Sequence, residues 1–296
     1  AVPNIQLSMH NEKITPELIE SIAYSAGDSY ETALCLLSGL GLNARLSVLG
    51  NFSGNGSGGL ESNFEVEIED GTAVPNEQLA HAIKATSAFW PDDFALTQLQ
   101  ATLTIDNGNV VMQDATANCG EGDIESSLTI KRDDLELVLT GHKLPLSNNF
   151  VNVLHSNASE KLSSAWNWLN PTGTVDVDMR VTHLNENSNL HLEVVPNVFV
   201  INSPNATSEL DRKRGSLVVE NSNVFLNDLE FEFLSDNGEI GSLEMMGEVF
   251  GSSDDFNFNI NATLDNIGLS SPLTRALTGI VGGGVAANYF DSIQPE

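Results

Sequence analysis

The chain has 296 residues, 41% hydrophobic and 6% aromatic, so it holds enough apolar material for a core and is not a disordered composition. Forty-one acidic residues against 12 basic ones leave a net charge of −29, the wrong sign for nucleic acid and for electrostatic docking on anionic headgroups. Only Cys35 and Cys119 are present and no C-x-x-C pattern occurs, which excludes a disulfide scaffold and a cysteine zinc site.

Taken in order, Ile5–Ser8 reads as the end of a strand. Thr15-Pro16-Glu17 then predicts a helix start, with Thr as cap, Pro at the first helical position and an acid in the first turn. Leu18, Ile19, Ile22 and Ala23 follow at helical spacing. The pattern resumes over Tyr30–Leu37, with Cys35 on its apolar side, and stops at Gly39-Leu40-Gly41. Leu46, Val48 and Leu49 predict a strand whose inward side is ambiguous. Asn51–Gly59 reads as a flexible loop.

Phe64, Val66 and Ile68 alternate with Glu65, Glu67 and Glu69, one apolar face against one acidic face. Residues 76–86 predict a short helix. Leu99, Ala101, Leu103 and Ile105 lead into the block I-D-N-G-N-V-V-M-Q-D (105–114). That block recurs 114 residues later as V-E-N-S-N-V-F-L-N-D (219–228). Asn-Gly between apolar runs is a strong hairpin signal, because both turn positions need positive φ. A second match follows each copy: Leu144–Ser147 mirrors Ile267–Ser270, and Asn4–Ser8 resembles both. The spacing divides the chain into 1–45, the tail of a preceding repeat, then 46–165 and 166–296, two repeats of one continuous sheet. On this reading the chain is an internal piece of something longer, with anchors and targeting signals outside it.

Cys119 falls in the predicted turn N-C-G-E-G, and its pairing with Cys35 is left open. Leu128, Ile130, Leu135, Leu137 and Leu139 continue the alternation, and 148–168 predicts a helix stopped by Pro171 and Gly173. Val175, Val177, Met179 and Val181 form another two-faced strand, followed by Leu190, Leu192 and Val194. Asp211–Arg214, the one basic cluster, reads as a solvated turn. Asn237-Gly238 marks a further turn. Phe256, Phe258, Ile260, Ala262 and Leu264 alternate with Asn257, Asn259, Asn261 and Thr263 in the clearest strand, and Ser271-Pro272 opens a last helix.

The motifs of chemistry are missing. The six histidines are scattered, and only His183 and His191 could meet across a turn, as zinc ligands would. No nucleophile elbow, H-E-x-x-H, phosphate loop or calcium loop occurs. No apolar run reaches the roughly 18–20 residues of a membrane span. What remains is ten to fourteen strands with one greasy face each, a pattern of antiparallel sheets covered on one side. Burying one Phe or Leu is worth about 1.5–3 kcal/mol, so such a face must close on itself, pack on a second sheet or shelter something apolar.

Three stretches carry a family resemblance: G-S-L-V-V-E-N-S-N-V-F-L-N-D-L (215–229), D-D-F-N-F-N-I-N-A-T-L-D-N-I-G-L-S-S-P-L-T-R-A-L (254–277) and W-N-W-L-N-P-T-G-T-V-D-V-D (166–178). In strand rhythm and helix placement the chain resembles the AsmA-like and TamB-like repeat proteins of bacterial envelopes. It departs from them in its acidity and in the membrane helix it lacks at the amino end. The resemblance implies a mainly β fold: a long twisted antiparallel sheet curled into an open groove, with about one short helix per repeat. It also implies a non-enzymatic, cofactor-free segment of a periplasmic, envelope-spanning protein of a diderm bacterium. That segment would be anchored to membrane through flanking regions, and its partner would be a phospholipid or other acyl-chain lipid. The groove-lining candidates are then Leu103, Ile105, Val175, Val177, Met179, Leu217, Val219, Phe231, Phe233, Phe256, Phe258 and Ile260. Two alternatives stand beside this: a structural or adhesive surface module built as a sandwich or β-helix, and a carbohydrate-acting enzyme using outward carboxylates.

Overall fold

The computed structural model describes residues 4–25, 30–54, 60–74, 76, 95–131, 134–146, 170–184, 187–203, 206–221, 223–235, 238–252 and 255–266. They form a mainly β protein with a single antiparallel sheet. Its strands are β1 (Asn4–Lys13), β2 (Leu42–Gly54), β3 (Leu60–Ala73), β4 (Leu96–Asp106), β5 (Asn109–Cys119), β6 (Gly122–Lys131), β7 (Asp134–Leu146), β8 (Pro171–Leu184), β9 (Asn187–Ser203), β10 (Ala206–Glu220), β11 (Asn223–Leu234), β12 (Ile240–Ser252) and β13 (Asp255–Asp265). Each strand pairs with its neighbours in sequence, from β1 to β13 without a crossover, and the sheet does not close into a barrel. Antiparallel pairing in sequence order is not the parallel coil of a β-helix.

By internal contacts the chain separates into two compact units, Ala1–Leu144 with Val177–Leu192 and Pro145–Asp176 with Glu193–Glu296. In the first unit, α1 (Pro16–Ser25) and α2 (Tyr30–Gly39) join β1 to β2. Thr15 caps α1: the Leu18 N–H donates to its hydroxyl at 3.3 Å and the Ile19 N–H to its carbonyl at 3.0 Å. The helices predicted at 76–86, 148–168 and after Ser271 lie outside the described residues.

The alternating pattern is written directly into burial. In β3, Phe64, Val66 and Ile68 are buried while Glu65, Glu67 and Glu69 are exposed. Cross-strand pairing extends the apolar face, with Phe64 opposite Ile105 and Val66 opposite Leu103. The ambiguity at Leu46–Leu49 is settled by this register: Val48 faces Val66 and is buried, while Leu49 faces Glu65 and is half exposed. The β4–β5 turn has Asn107 at φ 46 and Gly108 at φ 83, the two positive values a two-residue hairpin loop demands. A mutual hydrogen-bond pair pins it to β3, Asn107 N–H to the Ser62 carbonyl and Ser62 N–H to the Asn107 side chain. In the repeat copy Glu220 pairs with Asn223, and Asn221 has φ 55, like Asn107.

Three expectations need correction. Asn51–Gly54 is not loop but the end of β2, because pairing with Leu60–Asn63 satisfies its backbone. Cys119 is the buried last residue of β5, paired with Gly122, with the turn falling on Gly120 and Glu121; no disulfide joins Cys35 and Cys119. The basic cluster Asp211–Arg214 is not a turn: it lies within β10, where pairing with β11 shifts register twice between Arg212 and Ser216.

Candidate functional site: an apolar trough

In the first unit the inward side chains of seven strands face one space. Ile68 of β3, Leu103 and Ile105 of β4, Ile124 and Ile130 of β6, Leu139 of β7 and Met179 of β8 all border it. From the helices come Ile22, Ala33 and Leu37. Strands five places apart in a flat sheet would lie about 24 Å apart. Here Ile68 and Met179 border one cavity of about 120 Å³ that opens to solvent, so the sheet of this unit curls around it. Its lining is almost wholly hydrocarbon. Thr116 and Ser126 are its polar lining residues, and among the described residues no titratable group lines it.

The apolar face also runs out into the open. Ile5, Leu7 and Met9 of β1 stand opposite Phe52, Gly50 and Val48, so they continue the buried face. Yet Ile5 is 61% and Leu7 43% exposed. Phe52 lies edge-on to Phe64 with ring centroids 4.9 Å apart. Gly50 permits this, because a Cβ there would meet the Phe64 ring at 2.5 Å.

In the second unit the apolar face gathers Ile201, Leu210, Leu229, Phe231, Phe233 and Leu243, with Phe199, Leu226, Met245 and Leu264 packed against them. Phe199 and Phe231 approach with ring centroids 5.9 Å apart. The opposite face holds the ion pairs. Lys213 bridges Asp211 and Glu232, each at 2.8 Å, and Arg214 reaches Glu230 and Glu244. Hydrogen bonds from Lys213 to Asp211 and Glu232 hold the ammonium well above its ordinary pKa. Arg212 is placed differently: it stands opposite Phe231, on the apolar side, and is partly buried.

The sequence candidates distribute as follows. Leu103, Ile105 and Met179 border the cavity of the first unit. Val177 is buried in that unit, and Val175 is buried in the second. Phe231 and Phe233 belong to the second unit's cluster; Val219 is buried and Leu217 partly so. Ile260 of β13 sits opposite Gly247 and is 41% exposed. Phe256 and Phe258 have their backbone in β13, opposite Gly251 and Val249; their side chains lie outside the described residues. Missing from the candidates were Ile124, Leu128 and Ile130. They alternate as cleanly as Leu103 and Ile105, and that periodicity was the signal that could have found them.

Metal chemistry finds no support among the described residues, where no group of three His, Cys, Asp or Glu converges. His183 is buried and its Nδ1 lies 2.8 Å from the Ser188 hydroxyl, while His191 is exposed. No described helix is long and apolar enough to cross a membrane. No protein-family model, no curated protein and no solved structure matches this chain.

Proposed function

We propose that the chain is a non-enzymatic carrier segment whose apolar trough shelters the acyl chains of a phospholipid or similar lipid while the headgroup stays in water. The observation that carries this reading is the state of the apolar face. It is continuous from strand to strand, surrounds a hydrocarbon-lined space and remains exposed at Ile5 and Leu7 instead of closing. An uncovered apolar face of this extent is costly in water, and a bound hydrocarbon chain would remove the cost. The outward faces are carboxylate-rich, as in Glu65, Glu67 and Glu69, and keep the segment soluble around such a cargo.

The resemblance to AsmA-like and TamB-like proteins points the same way. It suggests a place in the periplasm or envelope of a diderm bacterium, with the cargo passing between membranes to which flanking segments attach. No step of bond-making is required, and among the described residues the cavity lining is hydrocarbon apart from Thr116 and Ser126. The test is extraction of the protein purified from membrane-containing cells, followed by mass spectrometry of the extract. Acyl lipid in stoichiometric amount is expected. Lipid at the level of a control protein would sink the reading.

A further inference from the structure

Arg212 is a cation on a hydrocarbon surface. Its place opposite Phe231 puts it on the face shared by Leu210, Phe231 and Phe233. The bulge that follows sends Lys213 and Arg214 to the other side, where Asp211, Glu230, Glu232 and Glu244 meet them. Among the described residues no carboxylate pairs with Arg212. A guanidinium has five N–H donors. The Nε–H donates to the Pro196 carbonyl at 2.6 Å and one Nη1–H to the Gly215 carbonyl at 3.4 Å, so among the described residues three donors are left over. Two neutral carbonyls orient the group without neutralising it. A partly buried charge with no counter-ion is unfavourable until an anion meets it. The matching position of the first repeat, 114 residues earlier, is Gln98, so this cation belongs to the second unit alone.

We infer that Arg212 is the seat for the oxyanion of an acyl-chain amphiphile, a carboxylate or phosphate end held by the guanidinium with its tail along the partly exposed Phe199, Met245 and Leu264 that flank the buried cluster. The inference rests on the acyl-chain reading above and adds where an anionic end docks. The planar fork suits an oxyanion bidentately. The net charge of −29 repels anions at a distance, so discrimination must come from a local cation partly withdrawn from water.

The test compares palmitate, hexadecyl phosphate, hexadecanol and inorganic phosphate on the full chain by equilibrium dialysis. Palmitate and hexadecyl phosphate should each bind about tenfold more tightly than hexadecanol, the worth of one charge-assisted contact. Arg212→Gln should erase that advantage and leave hexadecanol binding as it was. If the Arg212→Gln chain does not fold, Arg212→Lys and the wild-type comparison decide. The lysine variant should keep part of the preference, and loss of none of it overturns the proposal. Equal binding of palmitate and hexadecanol to the wild type overturns the Arg212 seat while the acyl-chain reading stands. Binding of neither removes both. Inorganic phosphate displacing palmitate at equal concentration overturns the amphiphile and leaves a free-oxyanion site.

Discussion

Asp114 and Asp228, 114 residues apart, both have a left-handed backbone, at φ 53 and φ 45. Each closes a copy of the repeated block, and each falls where its strand slips register against the next: between Met112 and Ala115 on β5, and between Leu226 and Leu229 on β11. Val110 and Met112 face inward before the first slip; Ala115, Ala117 and Cys119 are the buried residues after it. The bulge thus moves the apolar face from even to odd positions without turning it outward. Lys143 and Asn266, at φ 52 and φ 53, form a similar pair just before the second matching motif.

These bulges give a first prediction. Asp114→Gly and Asp228→Gly should change stability by no more than about 0.5 kcal/mol, since glycine accepts positive φ freely. Asp114→Val should cost about 1–3 kcal/mol, because a β-branched residue is strained there. Urea unfolding of the three variants checks this; a harmless Asp114→Val would mean the bulge does not set the register.

Gly215 supplies a sharper case. It lies at φ 88, and a Cβ built on it would stand 2.3 Å from the Asp228 carbonyl oxygen. Gly215→Ala should therefore destabilise by more than about 2 kcal/mol, by strain and by displaced backbone together. A midpoint unchanged in urea would contradict the geometry.

Filling the trough separates cargo from fold. Ala115 and Ala117 border the open space of the first unit. Ala115→Leu with Ala117→Leu should reduce co-purified lipid severalfold while costing less than the roughly 1–3 kcal/mol typical of overpacking a closed core. Ile105→Ala, at a position 2% exposed, should cost about 2–5 kcal/mol. If the double leucine variant unfolds like Ile105→Ala, the space is not free.

One prediction concerns pH. A backbone N–H of Glu17 and the Thr15 hydroxyl both hydrogen-bond its carboxylate and hold its pKa below the ordinary 4.5. A depressed carboxylate pKa stabilises the fold above the unfolded value, and the benefit fades as pH falls through the folded value. The stability difference between wild type and Glu17→Gln should be present at neutral pH and vanish below the folded pKa. Thr15→Ala should cost about 1 kcal/mol at neutral pH, and part of that cost should fade as Glu17 is protonated. Melting curves across acid pH read both.

Much of this protein was legible without coordinates. Period-two alternation placed β3, β4, β6, β8 and β13, since a sheet wet on one side forces apolar residues onto every second position. Asn107-Gly108 announced its hairpin because few residues adopt positive φ twice in a row. Thr15-Pro16 announced α1 through its cap. Of the ten non-glycine residues with positive φ among the described residues, eight are Asn or Asp: Asn107 and Asn221 sit in turns, while Asn11, Asp70, Asp114 and Asp228 fall at register shifts.

Register was decided only in three dimensions. Pattern alone could not tell Val48 from Leu49, or see that one bulge would send Arg212 to the oily side and Lys213 and Arg214 to the acidic side. A bulge inserts one residue, and one residue is half the period of a strand, so every side chain beyond it changes sides relative to a straight reading. Local preferences state which residues can make such a bulge; the strand pairing decides where it falls.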